Sequence, residues 1–424
     1  MSVERTHSSP STASDASATN LASSALSAAS LSVKAAGPST AHEPATATPH
    51  WSEMSTLAPA PSGRDNEAMA YDPVLGAVIL FGGYFVQVAA AGDTWEFHNG
   101  GWTELNPYPT PSPRWAASMV YDPSTQSLLL FGGRDDNQFF NDTWSFNAAG
   151  WTQLSTPTAP SPRSTTMTYD AMQGAVVLYG GGVGNLPAGS GSPWSHYTDT
   201  WEFKDSAWVN LTSHLTPSPP DLSSQLVFDA ADGYDVLFGG AYPTGPCETL
   251  DFEWTFQDGS WTNVSGDAES GPGGAHGVWG AGLTYDPELS AVLAFGGNLD
   301  SSPGNCYSAS MTWEYSGGVW TNLTASIGSL APLPRSSFPM AYDAAAGLVL
   351  LFGGNIDNSF NYLGDTWALT ENSEVFGVNS TPPSEPTPPP VSPWTSPNAI
   401  LAYMSAIAAG TCAGVFVLNR QRRT

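Results

Sequence analysis

Between residues 51 and 370 the chain is a succession of short apolar runs separated by clusters of Gly, Asn, Asp and Pro. The runs are β-branched or aromatic and bounded by turn residues, which predicts strands and excludes a helical bundle. They also recur, and a recurrence at fixed spacing decides the fold before any single element does. An aromatic-Asp pair appears six times: Tyr71-Asp72, Tyr121-Asp122, Tyr169-Asp170, Phe228-Asp229, Tyr285-Asp286 and Tyr342-Asp343. Ten residues after each Asp stands the first glycine of a pair: Gly82, Gly132, Gly180, Gly239, Gly296 and Gly353. Five tryptophan pairs follow at a spacing of seven: Trp95 and Trp102, Trp144 and Trp151, Trp201 and Trp208, Trp254 and Trp261, Trp313 and Trp320.

Each unit therefore reads as four strands. In the second unit the first strand ends at Tyr121-Asp122, and the second ends at Gly132-Gly133. The third holds Trp144 and the fourth holds Trp151. Trp367 lacks a downstream partner, but Trp51 stands twenty residues before Tyr71, where a second Trp belongs. This predicts a ring whose last blade takes its fourth strand from the start of the repeat region. One blade alone cannot bury both of its faces, so blades stack around an axis.

The fixed spacings are the hairpins from first to second and from third to fourth strand, which lie on one face of the disc. The variable connections lie on the other. From each Gly pair to the next Trp the distances are 12, 11, 20, 14, 16 and 13 residues. Length variation belongs with function, so a binding site is expected on the variable face, nearest blades three to five. The Gly pairs read as backbone necessities where blades crowd, and the Trp pairs as packing between blades.

These repeats resemble the Kelch repeat over residues 51 to about 370. The resemblance implies an all-β, six-bladed propeller of four-stranded antiparallel blades. Two units depart from the pattern. The Asp-Thr before the first Trp becomes Phe252-Glu253 in the fourth and Met311-Thr312 in the fifth. Arginines precede the first strand in four units, Arg64, Arg114, Arg163 and Arg335, and are absent from the same two. In ligand-binding Kelch propellers an arginine near this position lines the channel mouth and meets carboxylates. The resemblance implies that role as one option, and a repeated structural salt bridge or backbone contact is the other.

Composition adds limits. Charged residues are 12% of the 424, with 16 Trp and a formal net charge of -27. So acidic a body repels phosphate backbones, which excludes nucleic acid as a partner. No cofactor is implied, although acidic turns such as Asp135-Asp136-Asn137 and Asp357-Asn358 suit calcium as well as they suit ordinary surface turns. Residues 1–48 are Ser-, Ala- and Thr-rich and predict disorder, with no clean signal peptide. The propeller is expected over 49–372 and a Pro/Ser/Thr-rich stalk over 373–397. An apolar helix long enough to span a bilayer is expected over 398–418, then a basic stub over 419–424. The arginines of that stub belong inside, which places the propeller outside. Gly410 and Gly414 have the spacing of a weak helix-dimer motif.

Cys247 and Cys306 fall in long loops of neighbouring units, where a disulfide is a testable pairing and two unrelated thiols the alternative. Asn141, Asn210, Asn263, Asn322 and Asn379 begin Asn-x-Ser/Thr sequons, sites for glycans if the chain is exported. Seven histidines show no metal-ligand spacing, and no Gly-x-Ser-x-Gly elbow or Cys-His signature occurs. The expectation is a membrane-anchored extracellular propeller that binds a protein or glycan. An extracellular enzyme with a loop-built site and a tail-anchored cytosolic scaffold are the alternatives.

Overall fold

The computed structural model describes residues 48–54, 59–85, 89–184, 195–212, 219, 224–241, 249, 252–265, 271–272, 277–302, 305–356 and 361–371. All its named elements are strands. They form six antiparallel blade sheets with four main strands each, besides a three-stranded sheet of Val278–Trp279, Asn298–Ser302 and Asn305–Ser308 and a two-stranded one of Tyr84–Phe85 and Ala89–Ala90. Blade 1 is built from Ala68–Asp72, Ala77–Phe81, Thr94–His98 and Gly101–Leu105, and the next four blades repeat this order. Blade 6 takes Met340–Asp343, Leu348–Phe352 and Thr366–Thr370 from the end of the repeat region and His50–Glu53 from its start. The closing register is His50 with Thr370, Trp51 with Leu369 and Glu53 with Trp367. First strands of successive blades touch in sequence, and that of blade 6 touches that of blade 1, so the ring is complete. The first, innermost strands surround the axis and the fourth strands form the outer edges.

The second strand explains the unbroken apolar runs. All five residues of Ala77–Phe81 are buried, because successive side chains point to opposite faces and both faces are covered. Val78 and Leu80 pack toward blade 6 with Leu350 and Phe352, while Ile79 and Phe81 pack toward blade 2 with Leu128 and Leu130. Six such clusters fill the six spaces between neighbours.

The second Trp of each unit latches neighbouring blades. Trp151 donates its indole N–H to the Thr94 hydroxyl of the preceding blade at 3.0 Å and meets Phe81 edge-on at 5.1 Å. Trp102, Trp208 and Trp261 repeat this with Thr366, Thr143 and Thr200. Trp51 does the same with Thr312. The departure in blade 4 is accommodated by Glu253, whose carboxylate accepts from Trp320 where the others offer a threonine.

The glycine pairs hold positive φ, 72° at Gly82 and 106° at Gly83. A side chain on Gly82 would lie 2.4 Å from the Arg114 carbonyl of the next blade. The Gly83 N–H donates to that same carbonyl at 2.9 Å. Close backbone approach at positive φ is what admits only glycine here.

Residues 372–424 lie outside the described residues, and with them the expected stalk and apolar helix. No helix among the described residues is long and apolar enough to cross a membrane. Cys247 and Asn379 are also outside, while Cys306 pairs its backbone with Asp300.

Candidate functional site

The four signature arginines are buried structural groups. Each is at most 1% exposed. Arg64 meets the Asp93 carboxylate through both terminal nitrogens, at 2.7 and 2.8 Å. Its Nη1 also donates to the Gly82 carbonyl and its Nε to that of Ser62. Arg114 with Asp142, Arg163 with Asp199 and Arg335 with Asp365 repeat the arrangement. The first Trp completes each unit, since Trp95, Trp144, Trp201 and Trp367 donate to the same aspartates. Burial alone would raise the carboxyls of Asp93, Asp142 and Asp365, but the hydrogen bonds and charge of the arginine, with the indole bond, hold them below the ordinary range. None of the four arginines lines the central cavity. The repeated salt bridge that stood as the alternative to a channel-mouth role is thus present in all four units.

Blade 5 shows the substitution rule. Val278 stands where the arginine belongs, since its carbonyl accepts from Gly240 as that of Arg114 accepts from Gly83. Met311 stands where the aspartate belongs. Both pack into one apolar cluster with Leu299 and Ala309. The ion pair is exchanged as a pair, which leaves no buried charge alone.

Around the axis the inner strands enclose a cavity of about 820 Å³. On the variable-loop side its wall is a backbone collar. The Ser337 N–H donates to the Gly280 carbonyl at 2.7 Å, that of Asn66 to Ser337 and that of Ala116 to Asn66, each at 2.8 Å. Asn66, Ala116 and Ser337 hold φ of 54°, 53° and 59° to do so, a conformation that costs a non-glycine residue of order 1–3 kcal/mol. Between blades 3 and 4 side chains replace the collar, with Thr166 and Thr168 hydroxyls accepting from the backbone of Leu226 and Phe228.

Behind the collar runs a chain of buried polar groups across blades 5, 6 and 1. Ser308 donates to Asn298, Asn298 to Ser336, Ser336 to Asn355 and Asn355 to the Asp65 carboxylate. All the donors point one way, so the bonds reinforce one another. Burial is the largest influence on Asp65 and raises its carboxyl to about 6, against the lowering effect of Asn355 and Asn66. Burial also raises Glu67 well above the usual range. Its oxygens have no partner among the described residues and are closed off from solvent.

This predicts a pH dependence. A carboxyl whose folded pKa is raised binds its proton more tightly folded than unfolded, so its contribution favours folding in acid and is lost as pH rises through about 6. Asp229, Asp286 and Asp343 are raised as well, chiefly by burial. Asp93, Asp142 and Asp365, held low by their arginines, lose their contribution only as pH falls below the ordinary carboxylate range. Melting is therefore expected at a higher temperature at about pH 5 than at about pH 7.5, measured by calorimetry in matched buffers. An Asp65→Asn variant should narrow that difference.

Half-buried aromatic side chains form an arc beside the mouth on blades 6, 1 and 2. Tyr362 meets Tyr84 at 5.9 Å and Tyr84 meets Trp115 at 5.0 Å. Arg134 lies over both Trp115 and Phe139, at 5.0 and 4.8 Å. Trp279, in the strand position of Trp115 but on blade 5, lines the opposite side of the cavity. None of these residues belongs to a repeated signature, which is why spacing did not single them out. The site was expected toward blades 3 to 5. Much of the long loops of blades 3 and 4 lies outside the described residues, while that of blade 5 forms the hairpin of Asn298–Ser302 and Asn305–Ser308. The aromatic arc is on the other half of the ring. Among the described residues no three of His, Cys, Asp and Glu gather to hold a metal ion. Asp135 caps its own turn by accepting from Asn137 and Gln138.

Six sheets of one plan around a central cavity define a repeat propeller. Residues 33–240 match the family model of the KLHDC2/KLHL20/DRC7 Kelch-repeats domain. The same signatures continue through blade 6, so the Kelch-repeat plan matched over residues 33–240 runs round the whole ring. Among solved structures, one titled "Structure of YjhT" is similar, with a TM-score of 0.54 and 16% identity. The likeness covers 74% of this chain and 97% of that one, and at this identity it speaks for the fold alone. No curated protein matches.

Proposed function

We propose that this propeller is a binding module that engages a protein or glycan ligand at the channel mouth on its variable-loop face. The observation that carries the reading is the aromatic arc of Tyr362, Tyr84, Trp115 and Phe139 with Arg134 among them. Half-exposed aromatics with an arginine are the residue types that dominate binding energy at interfaces. A Kelch-repeat propeller suggests a protein-interaction module.

In this reading the apolar run at 398–418 holds the chain to a membrane and the propeller stands outside. The geometry suits that arrangement. His50 and Thr370, where the chain enters and leaves the propeller, pair at the end of blade 6 equivalent to the His98–Gly101 hairpin. That is the face opposite the mouth, so the chain enters and leaves the propeller on the side away from the mouth.

Trp115→Ala combined with Tyr84→Ala is expected to weaken ligand binding tenfold or more, about 1.4 kcal/mol, with folding intact by circular dichroism. Partners are captured by cross-linking on intact cells, and affinity is then measured with the purified ligand. Undiminished affinity, or cross-links confined to the hairpin face, would count against the mouth as the site. Labelling of intact cells with a membrane-impermeant amine reagent reports the sidedness separately.

A further inference from the structure

The outer edges of the six blades are not alike. At the register position facing the first Trp, blade 6 carries Glu53, blade 1 Glu104 and blade 2 Gln153. Blades 3, 4 and 5 carry Asn210, Asn263 and Asn322 at that position. All three asparagines are exposed, and each opens an Asn-x-Ser/Thr sequon. The strands around them have no charged residue. Val209 and Val319 on two of them, and Val264 just past the third, are 40–59% exposed. An uncharged edge strand with exposed valines is a template for pairing with another chain. Blades 6 and 1 blunt that edge with a carboxylate.

The local geometry also leaves the modifiable atom available. The Asn210 Oδ1 accepts from the Thr212 N–H at 2.8 Å, and Asn263 and Asn322 do the same with Ser265 and Thr324 at 2.9 Å. Each turn brings the sequon hydroxyl onto the third strand of its blade. The Nδ2 amides make no bond to the described residues. Asn141 differs, because the hydroxyl of its sequon residue, Thr143, is buried against Trp208.

We infer that Asn210, Asn263 and Asn322 are N-glycosylated, so that blades 3 to 5 carry a belt of glycans over their edges while blades 6, 1 and 2 stay bare beside the aromatic arc. The inference rests on the extracellular reading above. The donor is a lipid-linked oligosaccharide. The asparagine Nδ2 forms a bond to the anomeric carbon, the bond from that carbon to the lipid phosphate breaks, and the lipid phosphate leaves. One Nδ2 proton is lost to a base of the transferase, and nothing is oxidised or reduced.

The test is glycopeptide mapping by mass spectrometry on the full chain from its native source, with cell-surface labelling on the same preparation. Sugar mass on the peptides of Asn210, Asn263 and Asn322 is the expected result. Bare asparagines on surface-labelled protein would overturn the inference and leave the location intact. Bare asparagines on protein that excludes the label would overturn both. Sugar confined to Asn141 would also overturn it, because the edge strands would then be uncovered.

Discussion

Asp142→Ala is expected to destabilise the propeller by about 3–5 kcal/mol, the cost of leaving a buried charge without its partner. Arg114 is fully buried, and its two bonds to Asp142, at 2.5 and 2.9 Å, are its only contacts with an opposite charge among the described residues. The remaining bonds, to the Gly132 and Ser112 carbonyls, cannot neutralise a guanidinium. Trp144 loses its acceptor in the same variant. The loss is read as a lowered urea midpoint at unchanged slope. A second variant separates charge from volume. Arg114→Val with Asp142→Met copies the solution blade 5 already uses, and it should recover more than half of the loss. A cost below about 1 kcal/mol for Asp142→Ala would put the pair among surface ion pairs in strength and would contradict the burial argument.

Trp51→Ala is expected to cost at least as much as other Trp truncations in a core, about 3–5 kcal/mol, and to do more than leave a cavity. Trp51 is 1% exposed, packs on Phe295 at 5.0 Å and donates to Thr312 at 2.9 Å. Trp208 makes the equivalent contacts from the middle of the chain. The difference is connectivity. The strand of Trp208 is held by a hairpin, whereas His50–Glu53 is held to blade 6 by pairing alone. Trp208→Ala should lower stability without opening the ring. Trp51→Ala should also expose the strand Thr366–Thr370 to limited proteolysis in the native state. Trp51→Phe keeps the ring contact and loses one hydrogen bond, so its cost should be about 1 kcal/mol from that bond and a little more from volume. Equal protease resistance in Trp51→Ala and Trp208→Ala would contradict the special role of the closing strand.

The blades, their strand boundaries and the closing strand were legible because each signature is enforced locally. Gly82 and Gly83 need positive φ and close approach, and the Trp spacing is that of one hairpin. The partner of each arginine was less legible. Arg64 and Asp93 are far apart in the chain, and no spacing relates them. A signal was nevertheless present, since arginine and aspartate occur together in four units and vanish together from the other two. Such paired loss is what a buried ion pair requires. The face of the candidate site was legible from loop-length variation, but the residues of the mouth were not. Trp115 and Trp279 occupy equivalent places near the axis, and Arg134 pairs across to Trp115 from just after the glycine pair, but variation at these places is what distinguishes blades, so no repeat marks them. Asp65 and Glu67 gain their unusual protonation from a burial that only the closed ring creates.

The closing strand also sets an order of events. His50–Glu53 is synthesised before any blade, yet its pairing partner Thr366–Thr370 is synthesised last. At about 5–20 residues per second the interval is tens of seconds. For all that time the earliest strand has no place to go, and blade 1 presents an uncovered face where blade 6 will sit. The nascent protein is thus an open arc that becomes a ring in one late, long-range step, and such contacts are slow to form. Moving the codons of residues 48–54 to follow residue 371, joined by a short linker, would turn that step into a hairpin closure and keep the pairing of His50–Glu53 with Thr366–Thr370.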